Sequence, residues 1–514
     1  MRFVFLLAFA LLIIPTSNGQ NDVEVSTNYG TISGFHNDET GLNYFLGVPY
    51  AQPPIDSLRW KAPQELKSWS KTKQTKKFAS SAIQTNVFGD MIYRSEDKSE
   101  DCLYLNIWSP KIDNDEKLPV LVYFYGGGFV AGDGSEPRYD GAALAQQGII
   151  TVTVNYRLNI FGFFAHPRLS EEAEYGSSGN YGLLDQAMAL KWVNENIENF
   201  GGDPEKITIG GESAGSVSVS AQMASPLSKD YLAGAIGESG ASFGTALPAV
   251  TMDEAENTGV EFLKKVGYKF EDFRELPADS IYKIFQKSGR FGFPIVTDGY
   301  FLPKEMSKIY GNGEQANIPL LVGWNSAEMN GQAVMQNLEM TTENLQKKIK
   351  ELYPEDSEKA MKLYNPQSEE EVVNVATDLA SDRFISYSTW KWFDLHRKNS
   401  DKQVYRYFFK RIRPSDPASN YKPVGAAHAS EIEYFLGNLS KEQFPYLTET
   451  DFDISEKIQK YMVNFIKTGN PNSEGLKEWP SAKEGENPSV MVFDKEFEVI
   501  ESNVEDRYRF LDKQ

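Results

Sequence analysis

Ile207-Thr208-Ile209-Gly210-Gly211-Glu212-Ser213-Ala214-Gly215-Ser216-Val217-Ser218-Val219-Ser220-Ala221 is the stretch whose reading decides the fold. Its first four residues form an apolar, β-branched run that predicts a strand, and its last six are small residues that can open a packed helix. Between them, Gly211 to Gly215 has the pattern G-x-S-x-G. Strand, tight turn and helix in succession raise a serine hydroxyl on a strained elbow. The flanking glycines have a steric task there, because a side chain at either position would strike the neighbouring strand or helix. A glycine-serine turn that merely joins two elements has the same spelling, so partners elsewhere in the chain must decide.

Outward from the elbow, apolar strand-like runs alternate with helical stretches. Val120–Phe124 and Ile149–Val154 read as buried strands, and Leu320–Val322 and Tyr405–Phe409 as later ones. Leu183–Asn196 has helical periodicity through Leu184, Met188, Leu190, Trp192 and Val193. Such alternation predicts an α/β fold with a doubly wound, largely parallel sheet. Val23–Phe35 reads as a small antiparallel hairpin turning at Asn28-Tyr29-Gly30, and the charged helical stretch from 245 to 400 as a cap beside the sheet. No repeat or long low-complexity linker divides residues 20–514, which are expected to form one domain.

A serine hydroxyl attacks well only when an imidazole takes its proton, and that imidazole needs a carboxylate to hold its tautomer. On a strand–elbow–helix scaffold the chain order is serine, acid, histidine. Of the four histidines, His36 and His166 come too early. His396 lies in an amphipathic helical stretch and is expected at the surface. His428, in Gly425-Ala426-Ala427-His428-Ala429-Ser430, follows a predicted strand among small neighbours that let the ring approach another loop, so it is the candidate base. Among 72 carboxylates, Glu328 stands out as the acid. It follows strand Leu320–Val322, at the carboxyl end where the loops of an open α/β sheet gather their catalytic groups. Strand Val120–Phe124 runs into Tyr125-Gly126-Gly127-Gly128-Phe129, whose glycines can turn several N–H groups toward one point. With the N–H of Ala214, they would hold the oxyanion of a tetrahedral intermediate. A phosphate-cradling loop is the alternative, but no Gly-Lys-Ser/Thr follows.

The net charge of −20 and sequence pI near 4.9 argue against nucleic acid or an anionic membrane surface as partner. Residues 1–19 have the pattern of a signal peptide: Arg2, an apolar core from Phe3 to Ile14, and Ser17-Asn18-Gly19 before the expected cut. Secretion or export to a periplasm is therefore expected, with no membrane insertion once the segment is removed. Cys102 is the only cysteine, so no intrachain disulfide can form. No Cys/His cluster has metal-ligand spacing, and no metal or cofactor is implied.

These residues together resemble the type-B carboxylesterase family, which includes the cholinesterases. The resemblance runs over nearly the whole mature chain. It rests on Gly47–Pro54 with Leu58-Arg59-Trp60, Glu100–Ile107, Asn155-Tyr156-Arg157-Leu158, Asn180–Gln186, Phe200–Pro204, the elbow, and Gly425–Gly437. It implies an α/β-hydrolase fold with Ser213 as nucleophile, His428 as base and Glu328 as acid. It also implies Gly127, Gly128 and Ala214 as oxyanion donors, and Ser239 as support for the Glu–His pair. The implied substrate is a small-molecule ester.

Three departures stand out. Met329 follows Glu328 where the family commonly has glycine. The upstream partner of Cys102 found in secreted animal relatives is absent. Met91-Ile92-Tyr93-Arg94 lacks the tryptophan with which cholinesterases stack a quaternary ammonium, which argues against choline esters. The chain looks more like a bacterial exported esterase, for which the sequon Asn438-Leu439-Ser440 would be irrelevant. A lipase and a non-catalytic adhesion protein of the same family are the rival readings. Phe291-Gly292-Phe293-Pro294 falls where family members line the acyl pocket, although aromatic packing would explain it equally.

Overall fold

The computed structural model describes residues 21–112, 116–244, 247–419 and 422–514. The expected signal peptide lies outside the described residues. The main sheet is built from β1 (Asp22–Thr27), β2 (Gly30–Asn37), β3 (Leu42–Pro49), β4 (Tyr104–Ser109), β5 (Leu118–Phe124), β6 (Ile150–Val154), β7 (Gly202–Glu212), β8 (Gly234–Glu238), β9 (Leu320–Asn325), β10 (Val404–Phe409), β11 (Ser489–Phe493) and β12 (Glu498–Glu501). In space the order is β1-β2-β3-β4-β6-β5-β7-β8-β9-β10-β11-β12, and off this path the two-residue strand Lys73–Gln74 pairs parallel to β2.

From β6 through β11 every neighbouring pair is parallel, and the strands at both edges are antiparallel. The central strands are continuous apolar runs because helices cover both faces, leaving no side for polar alternation. Val120, Val122 and Phe124 in β5 and Ile207 and Ile209 in β7 are wholly buried. At the first edge, β1 and β2 pair from Asp22 with Phe35 down to Thr27 with Gly30, which is the expected hairpin and turn.

The helices that matter to the site are α1 (Tyr181–Asn196), α2 (Ala214–Ala224), α3 (Met252–Val266), α4 (Ala278–Lys287), α5 (Thr342–Leu352), α6 (Val372–Ser381), α7 (Tyr387–Asn399), α8 (Glu449–Thr468) and α9 (Glu505–Leu511). Every residue of α2 is buried, so its run of Ser, Ala and Val is what lets it sit tightly against the sheet. The expected cap helices α3 to α7 are present, but β9 returns to the sheet between α4 and α5, so they form insertions around a strand rather than one block. The later insertion has its own core, in which Leu345, Ile349, Tyr353 and Leu379 pack with Phe510 of α9.

Strand order fixes where a site can form. The chain leaves β5 for β6 on one side and then crosses to β7 on the other side of β5. At such a switch the connections diverge and open a crevice beyond the carboxyl ends of the strands. The glycine run after β5 and the elbow after β7 both lie there.

Candidate active site

Ser213 stands between the last residue of β7 and the first of α2 with φ 55° and ψ −121°, a conformation that side-chain-bearing residues rarely adopt. Main-chain packing holds it. A Cβ on Gly211 would come within 2.6 Å of the Gly215 carbonyl carbon and 2.7 Å of the Phe124 oxygen. A Cβ on Gly215 would lie 2.0 Å from that same oxygen. The Ser213 N–H donates to the Glu238 carbonyl at 2.8 Å, which ties the elbow to β8.

The acid and base loops are joined to each other. Ala327 N–H donates to the Ala426 carbonyl at 2.8 Å, and Ala426 N–H to Ser326 Oγ at 2.9 Å. This short parallel bridge sets Glu328 beside His428, with Glu328 Oε2 accepting from His428 Nδ1–H at 2.6 Å. In the neutral ring that bond fixes the tautomer and leaves Nε2, 2.9 Å from Ser213 Oγ, free to accept from the hydroxyl. Glu328 Oε1 accepts from Ser239 Oγ and from the Asn325 N–H, each at 2.6 Å. Met329 is not among the described residues with positive φ, so the backbone there does not call for glycine.

Three more carboxyls surround this chain of bonds. Glu431 accepts from Ser239 Oγ at 3.2 Å and from Asn325 Nδ2. Glu212 Oε1 lies 3.3 Å from His428 Nε2. Glu238 accepts from the Tyr123 hydroxyl at 3.3 Å. Burial raises the pKa of all three: Glu431 reaches about 7, helped by the charge on Glu328, and Glu212 and Glu238 stand well above the carboxylate range. Burial alone would lower His428, but the Glu212 charge and the hydrogen bond to Glu328 outweigh it and carry the imidazole up to about 10.

The Ser213 hydroxyl opens into a cavity of about 380 Å³ walled by Phe88, Met91, Phe291, Met329, Phe384 and Ile385. Gly127 and Gly128 form another wall. Gly127 has φ +100°, and a Cβ there would meet the Ala131 oxygen at 2.1 Å, so only glycine permits this course of the loop. The Phe291–Pro294 stretch divides in role. Phe291 lines the cavity, whereas Phe293 packs edge-on between Phe164 and Phe262 in the core.

All seven residues singled out from the sequence, Ser213, Glu328, His428, Gly127, Gly128, Ala214 and Ser239, come together on the segments that follow β5, β7, β8, β9 and β10. Sequence reasoning passed over Glu212, although it is the variable residue of the motif itself, and Glu431, three residues after His428. Phe384 had no signal at all. His396 must be corrected. It lies on α7 as expected, but it is fully buried, with Nε2 2.9 Å from the Ile318 oxygen and Nδ1 3.3 Å from Gln315 Nε2. Its place follows from helical spacing: three and four residues after Phe393 and Trp392, it falls on their buried stripe. Burial lowers its pKa to about 4.

The carboxylesterase family model matches residues 21–511. This chain belongs to the carboxylesterase family. It is 34% identical over 503 residues to the para-nitrobenzyl esterase of Bacillus subtilis (strain 168), covering 94% of this chain and 97% of that protein. Against the fumonisin B1 esterase of Sphingopyxis macrogoltabida it is 33% identical over 503 residues, covering 93% and 88%. A solved para-nitrobenzyl (PNB) esterase structure superposes with a TM-score of 0.80 at 31% identity, covering 94% of this chain and 98% of the other. The Geobacillus stearothermophilus carboxylesterase EST55 superposes at 0.81 and 29% identity, covering 95% and 99%. The protein is thus a carboxylesterase with the α/β-hydrolase fold. No helix among its described residues is long and apolar enough to cross a membrane.

Proposed function

We propose that this carboxylesterase cleaves small carboxylic esters through an acyl-enzyme on Ser213. His428 takes the Ser213 proton as Oγ attacks the carbonyl carbon, and Glu328 holds the imidazolium that forms. The N–H groups of Gly127, Gly128 and Ala214 receive the oxyanion. His428 then gives the proton to the departing alkoxide, and water repeats the sequence on the acyl-enzyme. The observation that carries this reading is the unbroken line Ser213 Oγ–His428 Nε2–His428 Nδ1–Glu328 Oε2, at 2.9 Å and 2.6 Å, facing a largely apolar cavity. Ser239 supports the acid through its 2.6 Å bond. That intact line is also what disfavours a non-catalytic adhesion role.

One observation supports a second reading, a lipase for long acyl chains. Val87, Phe88, Ile92 and Phe291 are exposed apolar residues, and two of them, Phe88 and Phe291, line the cavity. Hydrolysis of p-nitrophenyl esters from acetate to palmitate, by the protein and by Ser213→Ala, separates the readings. Short-chain turnover that vanishes in the variant supports the esterase, and a palmitate optimum supports the lipase. Equal turnover by both proteins would refute Ser213 as nucleophile. On the N-terminal segment we further propose export, with residues 20–514 as a single domain. Detection of the mature amino terminus at Gln20 in the extracellular or periplasmic fraction tests it.

A further inference from the structure

Between α6 and α7, Asp382–Ser386 is wound as a π-turn, in which each N–H reaches back one residue further than in an α-helix. Such turns are rare, occur mostly as single-turn bulges inside α-helices and are frequent at functional sites. This one bears on the site. Phe384 meets the His428 ring edge to face at 5.2 Å, and Phe384 and Ile385 both wall the cavity.

The hold on the turn comes from the far end of the chain. Asp382, 1% exposed, accepts from the Tyr364 hydroxyl at 3.0 Å and pairs with Arg507 Nε at 3.0 Å. Arg507 also donates to Asp378 on α6 at 2.6 Å. Arg507 belongs to α9, which is itself fixed to the sheet: Glu505 pairs with Arg406 of β10 and accepts from Trp390 Nε1 at 2.7 Å. Tyr508 stacks on Trp390 at 5.6 Å. On the near side, Ser381 Oγ accepts from the N–H of Met329, directly after Glu328, at 3.1 Å. A line of fixed contacts therefore runs from the sheet through α9, Arg507, Asp382 and the π-turn to Phe384 and His428.

We propose that Arg507 is a positioning residue for ester hydrolysis: by holding Asp382 it keeps the π-turn wound, Phe384 against His428, and the Phe384–Ile385 wall in place. The guanidinium touches no reacting atom and acts through Phe384. The inference rests on the reading of His428 as the base. With Phe384 in place, the imidazole cannot tilt away from Ser213 Oγ, and an acyl chain meets a firm wall. With the turn loosened, both kcat and the discrimination between acyl lengths change together.

The test is kcat and KM on p-nitrophenyl acetate and octanoate for Arg507→Lys, Tyr364→Phe, Phe384→Ala and the Arg507→Lys/Phe384→Ala double variant, with thermal unfolding of each. Arg507→Lys retains the charge, so Asp382 is not left unpaired, and Tyr364→Phe removes one hydroxyl. Both are expected to change the octanoate-to-acetate ratio of kcat/KM by at least about threefold and to lower kcat, while Arg507→Lys adds nothing once Phe384 is alanine. An equal effect of Arg507→Lys in both backgrounds, or an unchanged ratio in both folded single variants, would overturn the proposal. His428→Asn is assayed alongside. Wild-type turnover in that variant would refute the base assignment on its own, whatever the cycle returns.

Discussion

His428 Nε2 faces two oxygens at once, Ser213 Oγ at 2.9 Å and Glu212 Oε1 at 3.3 Å. In the proposed mechanism the proton that leaves the serine therefore arrives beside a second carboxyl group, which meets the ring at Nε2 and not at Nδ1, where Glu328 sits.

A raised imidazole pKa has a definite sign in the kinetics. The base must be neutral to accept a proton, so kcat/KM should climb with pH through an apparent pKa above the ordinary 6.5. Glu212→Gln removes the charge that lifts it most, so the acid limb should move down by about one unit. A pH–kcat/KM profile that stays in place in the variant would contradict the assignment. The same proton is linked to stability. Its contribution is complete below 6.5 and is lost as pH rises through about 10.

Backbone strain at Ser213 leads to a comparison of two inactive variants. Ser213→Ala and Ser213→Gly should each lose about 10⁴- to 10⁶-fold in kcat. Only glycine relieves φ 55°, ψ −121°, so Ser213→Gly should be the more stable by about 1 kcal/mol in denaturant unfolding. Equal midpoints would mean that the elbow is not strained.

Gly127→Ala places a methyl 2.1 Å from the Ala131 oxygen, so the loop must shift. If its N–H serves the oxyanion, kcat on p-nitrophenyl acetate should fall about 10²- to 10³-fold with KM little changed. A rise in KM alone would place the loop in binding rather than in transition-state stabilisation.

Much of this was legible in the sequence, and the legible parts share a cause. The central strands and α1 were readable because burial on both faces forces continuous apolar runs and helical spacing. That Ser213, His428 and Glu328 would meet was readable because chain order and position after strands constrain them more than their surroundings do. Glu212, Glu431 and Glu238 were not, because a buried carboxyl is written with the same letter as a solvated one, and only packing distinguishes them. The π-turn that brings Phe384 to His428 depends on Asp382, Tyr364 and Arg507, which lie far apart in the chain. His396 is a different case, since its spacing from Trp392 and Phe393 already placed it on the inner stripe of α7.

The buried, neutral His396 gives a stability prediction of opposite sign to His428. Its pKa is lowered to about 4, so the folded state resists the proton that the unfolded chain accepts near 6.5. The stability it leaves intact at neutral pH is lost as pH falls from about 6.5 toward about 4, to an extent of about 3 kcal/mol. His396→Gln should flatten the fall of the unfolding midpoint between those pH values. An unchanged slope would show that carboxylates alone govern it.

The elbow is held by the Phe124 oxygen and the Gly215 carbonyl, main-chain atoms that every sequence supplies. The location of the nucleophile is thus decoupled from the side chains that shape the cavity. Phe88, Met91, Phe291 and Met329 line the cavity and supply none of the main-chain contacts that place Ser213. A lineage, or a directed-evolution library, can therefore search substrate range at those four positions while the reactive centre stays where it is.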